Sequence, residues 1–235
     1  MGPAPVPHRP AVSLTHPSPN FGERRGGARP ELVVIHYTAM DSCAAALARL
    51  CDPAVEVSAH YLIDTEGRVL SLVDEAARAW HAGAGSWGGR GDVNSRSIGV
   101  ELANRGAEPF AAAQMAALEG LLAGILARWA LPPQAVIGHC DMAPDRKADP
   151  GPRFDWRRLA LQGLSVWPVA GAGAPSDFGT DARRFGYPDA PADCLLTAFR
   201  LRFRPWARGP LDAVDAGLMA DLAQRFAVDE APARA

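Results

Sequence analysis

The chain has 235 residues, a formal net charge of −2 and a hydrophobic fraction of 48%. At roughly 100–200 residues per domain, this length predicts one domain with an appendage or two small domains, and the composition is sufficient for a buried core. The near-neutral charge does not favour a nucleic-acid partner, because binding to a phosphate backbone requires clustered lysine and arginine. We expect an uncharged or mixed-charge substrate.

The four cysteines, Cys43, Cys51, Cys140 and Cys194, form no CxxC zinc pattern. Cys43 and Cys51 lie in a stretch predicted to be helical, where a rise of about 1.5 Å per residue separates their Cα atoms by about 12 Å. A disulfide requires less than about 7 Å. We therefore expect free thiols and a reducing compartment.

The N-terminal segment has no basic region followed by an apolar run, and no 18-residue apolar stretch occurs in the chain. Neither a secretion signal nor a transmembrane helix is expected. This favours a cytoplasmic protein. A chain whose leader has been removed would look the same, so a periplasmic location stays open.

Strands and helices alternate along the first 160 residues. Residues 1–30, rich in Pro, Gly and Arg, are predicted to form an extended arm lying on the domain, and the glycine-rich residues 81–96 a loop. The other predicted elements are strands at Glu31–His36, His60–Asp64, Val69–Val73, Ser97–Ala103 and Ala135–His139, and helices at 41–51 and 112–130. The pattern predicts an α/β fold with a mixed central β-sheet flanked by helices.

Composition changes after Trp167-Pro168. We predict a first domain over residues 1–168, a linker over 169–176 and a small C-terminal helical module over 177–235. About 55 residues is near the lower limit for an independent core, so the module is expected to dock on the first domain.

Three candidate metal ligands stand at predicted strand ends or in the loops that follow them: His36, His139 and Asp149. Two imidazoles and one carboxylate leave a fourth tetrahedral position for water, which is the pattern of a catalytic zinc site. The alternative from the residues alone is a core histidine at each strand end and a solvated Asp-Pro-Gly turn.

Six segments between about residues 18 and 160 match one family in its own order. They are Ser18–Phe21 (SPNF), Val33–Thr38 (VVIHYT), Val57–Ile63 (VSAHYLI), Ala79–Gly83 (AWHAG), Asn94 followed by Ser97–Leu102 (SIGVEL), and Val136–His139 (VIGH) running to Asp149–Gly151 (DPG). Together they resemble the zinc-dependent N-acetylmuramoyl-L-alanine amidase family, which includes phage lysozyme-amidases and peptidoglycan recognition proteins. The bacterial branch that acts on muropeptides is the closest in pattern.

The resemblance implies hydrolysis of the amide bond between N-acetylmuramic acid, or its anhydro form, and L-alanine. It places one zinc ion on the three candidate ligands and marks Glu101 and Lys147 as catalytic. Glu101 is expected to take a proton from the zinc-bound water and deliver it to the leaving amine. Lys147 is expected to stabilise the oxyanion. From the residues alone, a salt-bridged buried carboxylate and a surface lysine remain alternatives.

Trp80, His81 and Asn94 are predicted to bind substrate, which would be peptidoglycan or an anhydro-muropeptide. A structural role for His81 stays open, and Asn94 either shapes the loop or contacts glycan. His60 is expected to be a strand histidine. Cys140 is left out of the site, because consecutive strand residues point to opposite faces.

The C-terminal module resembles a peptidoglycan-binding helical domain through Phe185–Pro188, Ala198–Arg200 with Phe203–Pro205, and the turn Gly209–Asp212. The alternative is a helical cap on the first domain. For the whole chain, the rival hypothesis is a recognition protein of the same fold that binds peptidoglycan without cutting it. Such proteins lack a ligand, whereas all three ligand positions are filled here. Intact wall and soluble anhydro-muropeptides both stay open as substrates.

Overall fold

The computed structural model describes residues 14–169 and 174–228. Its strands are β1 (Leu14–Thr15), β2 (Phe21–Gly22), β3 (Leu32–Tyr37), β4 (Tyr61–Ile63), β5 (Val69–Ser71), β6 (Arg78–Ala79), β7 (Ser97–Leu102) and β8 (Val136–Gly138). Its α-helices are α1 (Cys43–Leu50), α2 (Val93–Arg96), α3 (Ala112–Trp129), α4 (His139–Met142), α5 (Trp156–Leu161), α6 (Phe178–Phe185), α7 (Ala192–Phe203) and α8 (Ala213–Arg225).

Six strands form one mixed sheet in the order β1-β5-β4-β7-β3-β8. The pairs of β3 with β7, β3 with β8 and β4 with β7 are parallel, while β4 and β5 form an antiparallel hairpin. Strands β2 and β6 form a separate antiparallel pair. The predicted mixed α/β sheet with flanking helices is confirmed.

Alternation along the central strands separates a packing face from a polar face. Val33 and Ile35 of β3, together with the apolar residues of β7, pack against α3. His36 follows Ile35 and therefore points to the opposite face. Glu101 is paired with His36 in the parallel register of β7 and β3, so both side chains lie on that opposite face.

Helix α3 covers the packing face. Met115, Leu118, Leu122 and Ile125 recur at helical spacing and are buried. Full burial of each such side chain contributes about 1.5–3 kcal/mol, which explains why this periodicity identifies the helix from sequence. The helix ends at Trp129, and its C-cap residue Ala130 adopts a left-handed conformation with φ 53°.

Helices α6, α7 and α8 pack near the other face of the sheet. One hydrophobic cluster joins Leu32, Val34 and Ile137 of the sheet to residues of all three helices. Of the predicted linker, residues 170–173 lie outside the described residues, and Pro175–Asp177 forms a 3₁₀ turn.

A buried ion pair joins α7 to α4. Arg202 donates to Asp141 Oδ2 at 2.6 Å, and neither side chain is exposed to solvent. Asp141 Oδ1 accepts a 2.7 Å hydrogen bond from the hydroxyl of Tyr187, and Asp141 Oδ2 accepts another from the backbone N–H of Gly138 at 2.7 Å. Helix α4 begins with His139, so the C-terminal helices hold the turn that carries a candidate ligand.

Three local expectations differ from the structure. The last strand ends at Gly138. His139 begins a helical turn, because the carboxylate of Asp141 accepts a hydrogen bond from the N–H of Gly138. Cys140 therefore lies in a helical turn and not in a strand. Its side chain is buried in the core, outside the site. The predicted loop 81–96 closes with the short helix α2.

The four cysteines are free, as expected. Within residues 14–169 and 174–228, no helix combines the length and apolar character needed to span a bilayer.

Candidate active site

A cleft of about 510 Å³ opens at the carboxyl ends of the parallel strands β3 and β7. This volume falls within the range of small-molecule sites. Seven of the eight predicted site residues line the cleft: His36, Trp80, His81, Glu101, His139, Lys147 and Asp149. Asn94 does not line it.

The three candidate ligands converge at one side of the cleft, although 103 residues separate His36 from His139. Their Nδ1 atoms lie 2.9 Å apart, and Asp149 Oδ2 lies 2.9 Å from Nδ1 of His36 and 3.0 Å from Nδ1 of His139. All three residues are buried, with at most 8% of their surface exposed. These residues could together hold a metal ion.

The protonation of the two histidines suits this role. His139 Nε2 lies 2.9 Å from the backbone oxygen of Ala82, which can only accept, so Nε2 carries a proton and Nδ1 is the nitrogen directed at the other two ligands. Burial, with a contribution from His139, lowers the pKa of His36 to about 4. His36 is therefore neutral at pH 7, which is the form of imidazole that binds metals.

The carboxylate of Asp149 completes the donor set. Burial raises its pKa, but contacts with His139 and His36 outweigh this effect and hold the pKa well below its usual range. Asp149 is thus ionised at neutral pH. Two imidazole nitrogens and a carboxylate oxygen lie at mutual distances of 2.9–3.0 Å around one position, and each can offer a lone pair to a cation there. The chemistry of the donor set therefore fits a divalent metal.

Glu101 lines the same cleft. Its Oε2 atom is buried and has no hydrogen-bond partner among the described residues. Burial and the nearby Asp149 raise the pKa of Glu101 to about 8, against the opposing effect of Lys147. The predicted alternative, a carboxylate satisfied by a salt bridge, finds no such partner in the described part of the chain. A perturbed, unpaired carboxyl in a cleft is typical of a general acid or base.

Lys147 lines the cleft two residues before Asp149 and is half-buried. It forms no side-chain hydrogen bond or ion pair with any described residue. It is also the only lysine in the sequence, where every other fixed cation is an arginine. Composition alone therefore distinguishes Lys147, independently of the sequence motifs. A compact ammonium differs from a planar guanidinium in how it places its charge, so the site has a chemical reason for this exception.

The remaining predicted residues divide into cleft-lining and supporting groups. Trp80 is half-buried on the cleft wall. His81 also lines the cleft, and its Nδ1 contacts Nε2 of His36 at 3.0 Å. Asn94 is buried, and its Oδ1 accepts hydrogen bonds from the backbone N–H groups of His81 and Ala82 at 3.0 and 2.8 Å. The structure therefore places Asn94 beneath the cleft wall and not on its surface.

His60 lies outside the cleft lining and is satisfied within the fold, as expected, although it precedes β4 and is not part of the strand. Its Nδ1 accepts from the N–H of Gly99 at 2.9 Å, and its Nε2 lies 3.2 Å from the oxygen of Ala77. Arg146, which no sequence motif marked, lines the cleft beside Lys147 and donates to the backbone oxygen of Ala82 at 2.6 Å.

Comparison with known proteins gives a consistent result. A family model described as N-acetylmuramoyl-L-alanine amidase matches residues 26–152. The N-acetylmuramoyl-L-alanine amidase AmiD of Escherichia coli K12 is 36% identical, over 86% of this chain and 85% of that protein. The 1,6-anhydro-N-acetylmuramyl-L-alanine amidase AmpD of Salmonella typhimurium SL1344 is 34% identical, over 63% of this chain and 89% of that protein.

Similarity extends to solved structures. One is the complex of Escherichia coli AmiD with the substrate anhydro-N-acetylmuramic acid-L-Ala-D-γ-Glu-L-Lys, which superposes with a TM-score of 0.73 at 31% identity. The match covers 88% of this chain and 96% of that one.

Proposed function

Because the chain belongs to the N-acetylmuramoyl-L-alanine amidase family, we propose that it is a zinc-dependent hydrolase of the bond between N-acetylmuramic acid, or its anhydro form, and L-alanine. One observation carries this proposal. The three converging metal-binding atoms share a cleft with an unpartnered carboxyl, Glu101, and with the only lysine, Lys147.

The donor set supports zinc as the metal, at one ion per chain. Imidazole nitrogens and a carboxylate oxygen are ligands of catalytic zinc sites, and those of His36, His139 and Asp149 converge on one position. When bound, zinc supplies a Lewis acid and lowers the pKa of its water to about 7. The imidazoles of His36 and His139 and the ionised Asp149 carboxylate are the groups that would hold it.

The chain's own residues supply the remaining chemistry. Glu101 has a pKa raised to about 8, so it can accept and return a proton near neutral pH. It is placed to take the proton of the attacking water and deliver it to the leaving amine of L-alanine. Lys147 faces the same cleft, where its ammonium stabilises the negative charge that develops on the carbonyl oxygen.

The rival function is recognition of peptidoglycan without cleavage. A recognition protein needs the cleft but neither a complete ligand set nor a proton-transfer group. Here all three ligand positions are filled, and Glu101 keeps a buried carboxyl oxygen that has no partner in the described part of the chain and is costly to maintain without a role. These features favour hydrolysis.

The test is direct. Zinc-loaded protein is incubated with anhydro-N-acetylmuramic acid-L-Ala-D-γ-Glu-L-Lys, and mass spectrometry should detect the free peptide and the released sugar. Chelation should abolish the reaction, and one equivalent of zinc should restore it. Glu101→Gln should lose about 100-fold or more in turnover while retaining zinc, whereas Glu108→Gln at an exposed site should match the wild type. Intact substrate with zinc-loaded wild-type protein would instead favour the recognition hypothesis.

We further propose that soluble anhydro-muropeptides are the preferred substrates. The cleft is compact enough to enclose one sugar and the start of a stem peptide. Parallel assays with intact sacculi and with soluble fragments compare the two sources, and faster release from sacculi would contradict this choice. The cytoplasmic location stays a prediction, which cell fractionation checks.

For the domain organisation, we propose a catalytic unit over residues 1–168 and a helical unit over 177–235 that caps it. The shared hydrophobic cluster and the buried pair of Arg202 with Asp141 support the cap. Wall binding by the helical unit stays a prediction. Trp206, 69% exposed before α8, is the residue to probe. Loss of sacculus co-sedimentation in Trp206→Ala would support wall binding, and wild-type protein that does not co-sediment would exclude it.

A further inference from the structure

A chain of hydrogen bonds runs from the backbone of α2 to the candidate ligand His36. The Ser97 hydroxyl lies 2.6 Å from the backbone oxygen of Val93, which accepts its proton. Ser97 Oγ must then act as acceptor toward Nε2 of His81 at 3.1 Å. A neutral His81 with its proton on Nε2 has a lone pair on Nδ1, and this atom lies 3.0 Å from Nε2 of His36.

These hydrogen bonds determine which nitrogen of His36 faces the metal position. The Nε2–H group of His36 donates a hydrogen bond to His81 Nδ1. In the neutral ring of His36, Nδ1 therefore carries no proton. It is Nδ1 that lies 2.9 Å from both His139 Nδ1 and Asp149 Oδ2. The imidazole of His36 thus presents a lone pair to the metal only while His81 accepts from its other side.

The fold makes room for the His81 ring. A Cβ atom on Gly99 would overlap the ring and lie 2.5 Å from its Cδ2, although the backbone of Gly99 does not itself require glycine. Gly99 stands between Ser97 and Glu101 on the same face of β7. The ring therefore packs directly on the strand, in space that the side chain of any larger residue at position 99 would fill.

The same segment also holds the second histidine. The carbonyl of Ala82, the residue after His81, accepts from Nε2 of His139 at 2.9 Å. The Asn94 side chain fixes this segment by accepting from the N–H groups of both His81 and Ala82. Two consecutive residues thus set the orientation of both imidazoles.

We propose that His81 is a positioning residue for the metal site: it accepts a hydrogen bond from the Nε2–H group of His36 and thereby directs Nδ1 of His36 at the zinc. This inference rests on the zinc site of the proposed function. His81 acts through His36, and Asn94 supports it through the backbone of residues 81 and 82.

The test is the zinc affinity, measured by competition with a chelating dye and without substrate. His81→Phe keeps the ring volume but removes the acceptor, so zinc should bind about 10- to 100-fold more weakly. His81→Asn places an amide oxygen near the position of Nδ1 and should stay within about threefold of the wild type. Met40 lines the same cleft and has no hydrogen bond to the described ligands. The control variant Met40→Ala should therefore bind zinc as tightly as the wild type.

Two results would overturn the role of His81. One is a His81→Phe protein with wild-type zinc affinity, and the other is an equal loss in the Phe and Asn variants, which would assign the effect to packing. A wild-type protein that binds no zinc would defeat the proposed function together with this inference. If only the variants fail to behave as stated, the amidase assignment is untouched.

A wild-type measurement keeps the inference testable even if His81→Phe does not fold. Nitrogen-15 NMR of the zinc-loaded protein reports which ring nitrogens carry protons. His36 and His81 should both be protonated at Nε2 and not at Nδ1. A His81 ring with its proton on Nδ1 cannot accept from His36 and would overturn the proposal.

Discussion

Replacing Arg202 with methionine should destabilise the protein by about 3–5 kcal/mol, because it leaves the buried Asp141 carboxylate without its cation. Arg202 also donates to the backbone oxygen of Val136 at 2.9 Å and to Ser165 Oγ at 3.2 Å. Its guanidinium stacks on Trp156 at 4.3 Å from the ring centre. Methionine retains the apolar stem of the side chain, so the loss isolates the charge and its hydrogen bonds.

This magnitude is a large part of a typical stability of about 5–15 kcal/mol. For a chain of this size it corresponds to a fall in Tm of about 6–20 °C. The assay is urea unfolding at pH 7, with Arg208→Met as the exposed control, which should change stability by less than about 0.5 kcal/mol. Arg202→Met combined with Asp141→Asn should lose less than the sum of the single variants.

A second effect follows from the position of Asp141 in the turn that begins with His139. Arg202→Met should bind zinc more weakly, because the turn loses its tie to α7. A loss below about 1 kcal/mol, within the range of an exposed ion pair, would refute the argument that this pair secures the C-terminal helices. Unchanged zinc affinity in a destabilised variant would limit the role of the pair to stability.

Three further predictions concern single titratable groups. Lys147→Ala should lower kcat about 100- to 1000-fold with little change in KM or zinc content, and Lys147→Arg should recover only part of the rate; a kcat above about a tenth of wild type would exclude the oxyanion role. In metal-free protein, Glu101 has a folded pKa of about 8 against 4.5 unfolded, so its stabilising effect is complete below pH 4.5 and lost as the pH rises to 8. Urea unfolding across this range should show a flatter profile in Glu101→Gln, and an unchanged profile would contradict the raised pKa. Burial lowers the folded pKa of His60 to about 4 from 6.5, so stability should fall as the pH drops from 6.5 to 4. His60→Gln should lessen that fall in the same assay, and an equally steep fall would exclude His60 as its source.

Much of the sheet and the long helix could be predicted from local pattern. Apolar residues at helical spacing identify α3, and the apolar run before His36 identifies β3, because each pattern reflects the face that must be buried. The boundaries were less predictable. The strand before His139 is shorter than expected because a side chain three residues on, Asp141, competes for the N–H of Gly138.

The candidate site depended on family resemblance for its selection, since spacing alone does not bring together residues 103 apart in the chain. The resemblance also predicted Trp80, His81 and Asn94 as substrate-binding residues and not as metal ligands. It did not distinguish residues that line the cleft from residues that support it. Only the tertiary structure shows that Asn94 holds the backbone of the His81 segment and does not line the cleft.

What the sequence determined by itself is therefore the periodicity of β3, β7 and α3 and the kinds of chemical group available near the strand ends. The tertiary structure decided which nitrogen of His36 faces the metal position, and that Arg202 reaches Asp141 across 61 residues. The physical reason is that burial follows from the local order of apolar residues. The partner of a buried polar group, in contrast, is whichever donor or acceptor the completed fold brings within about 3 Å of it.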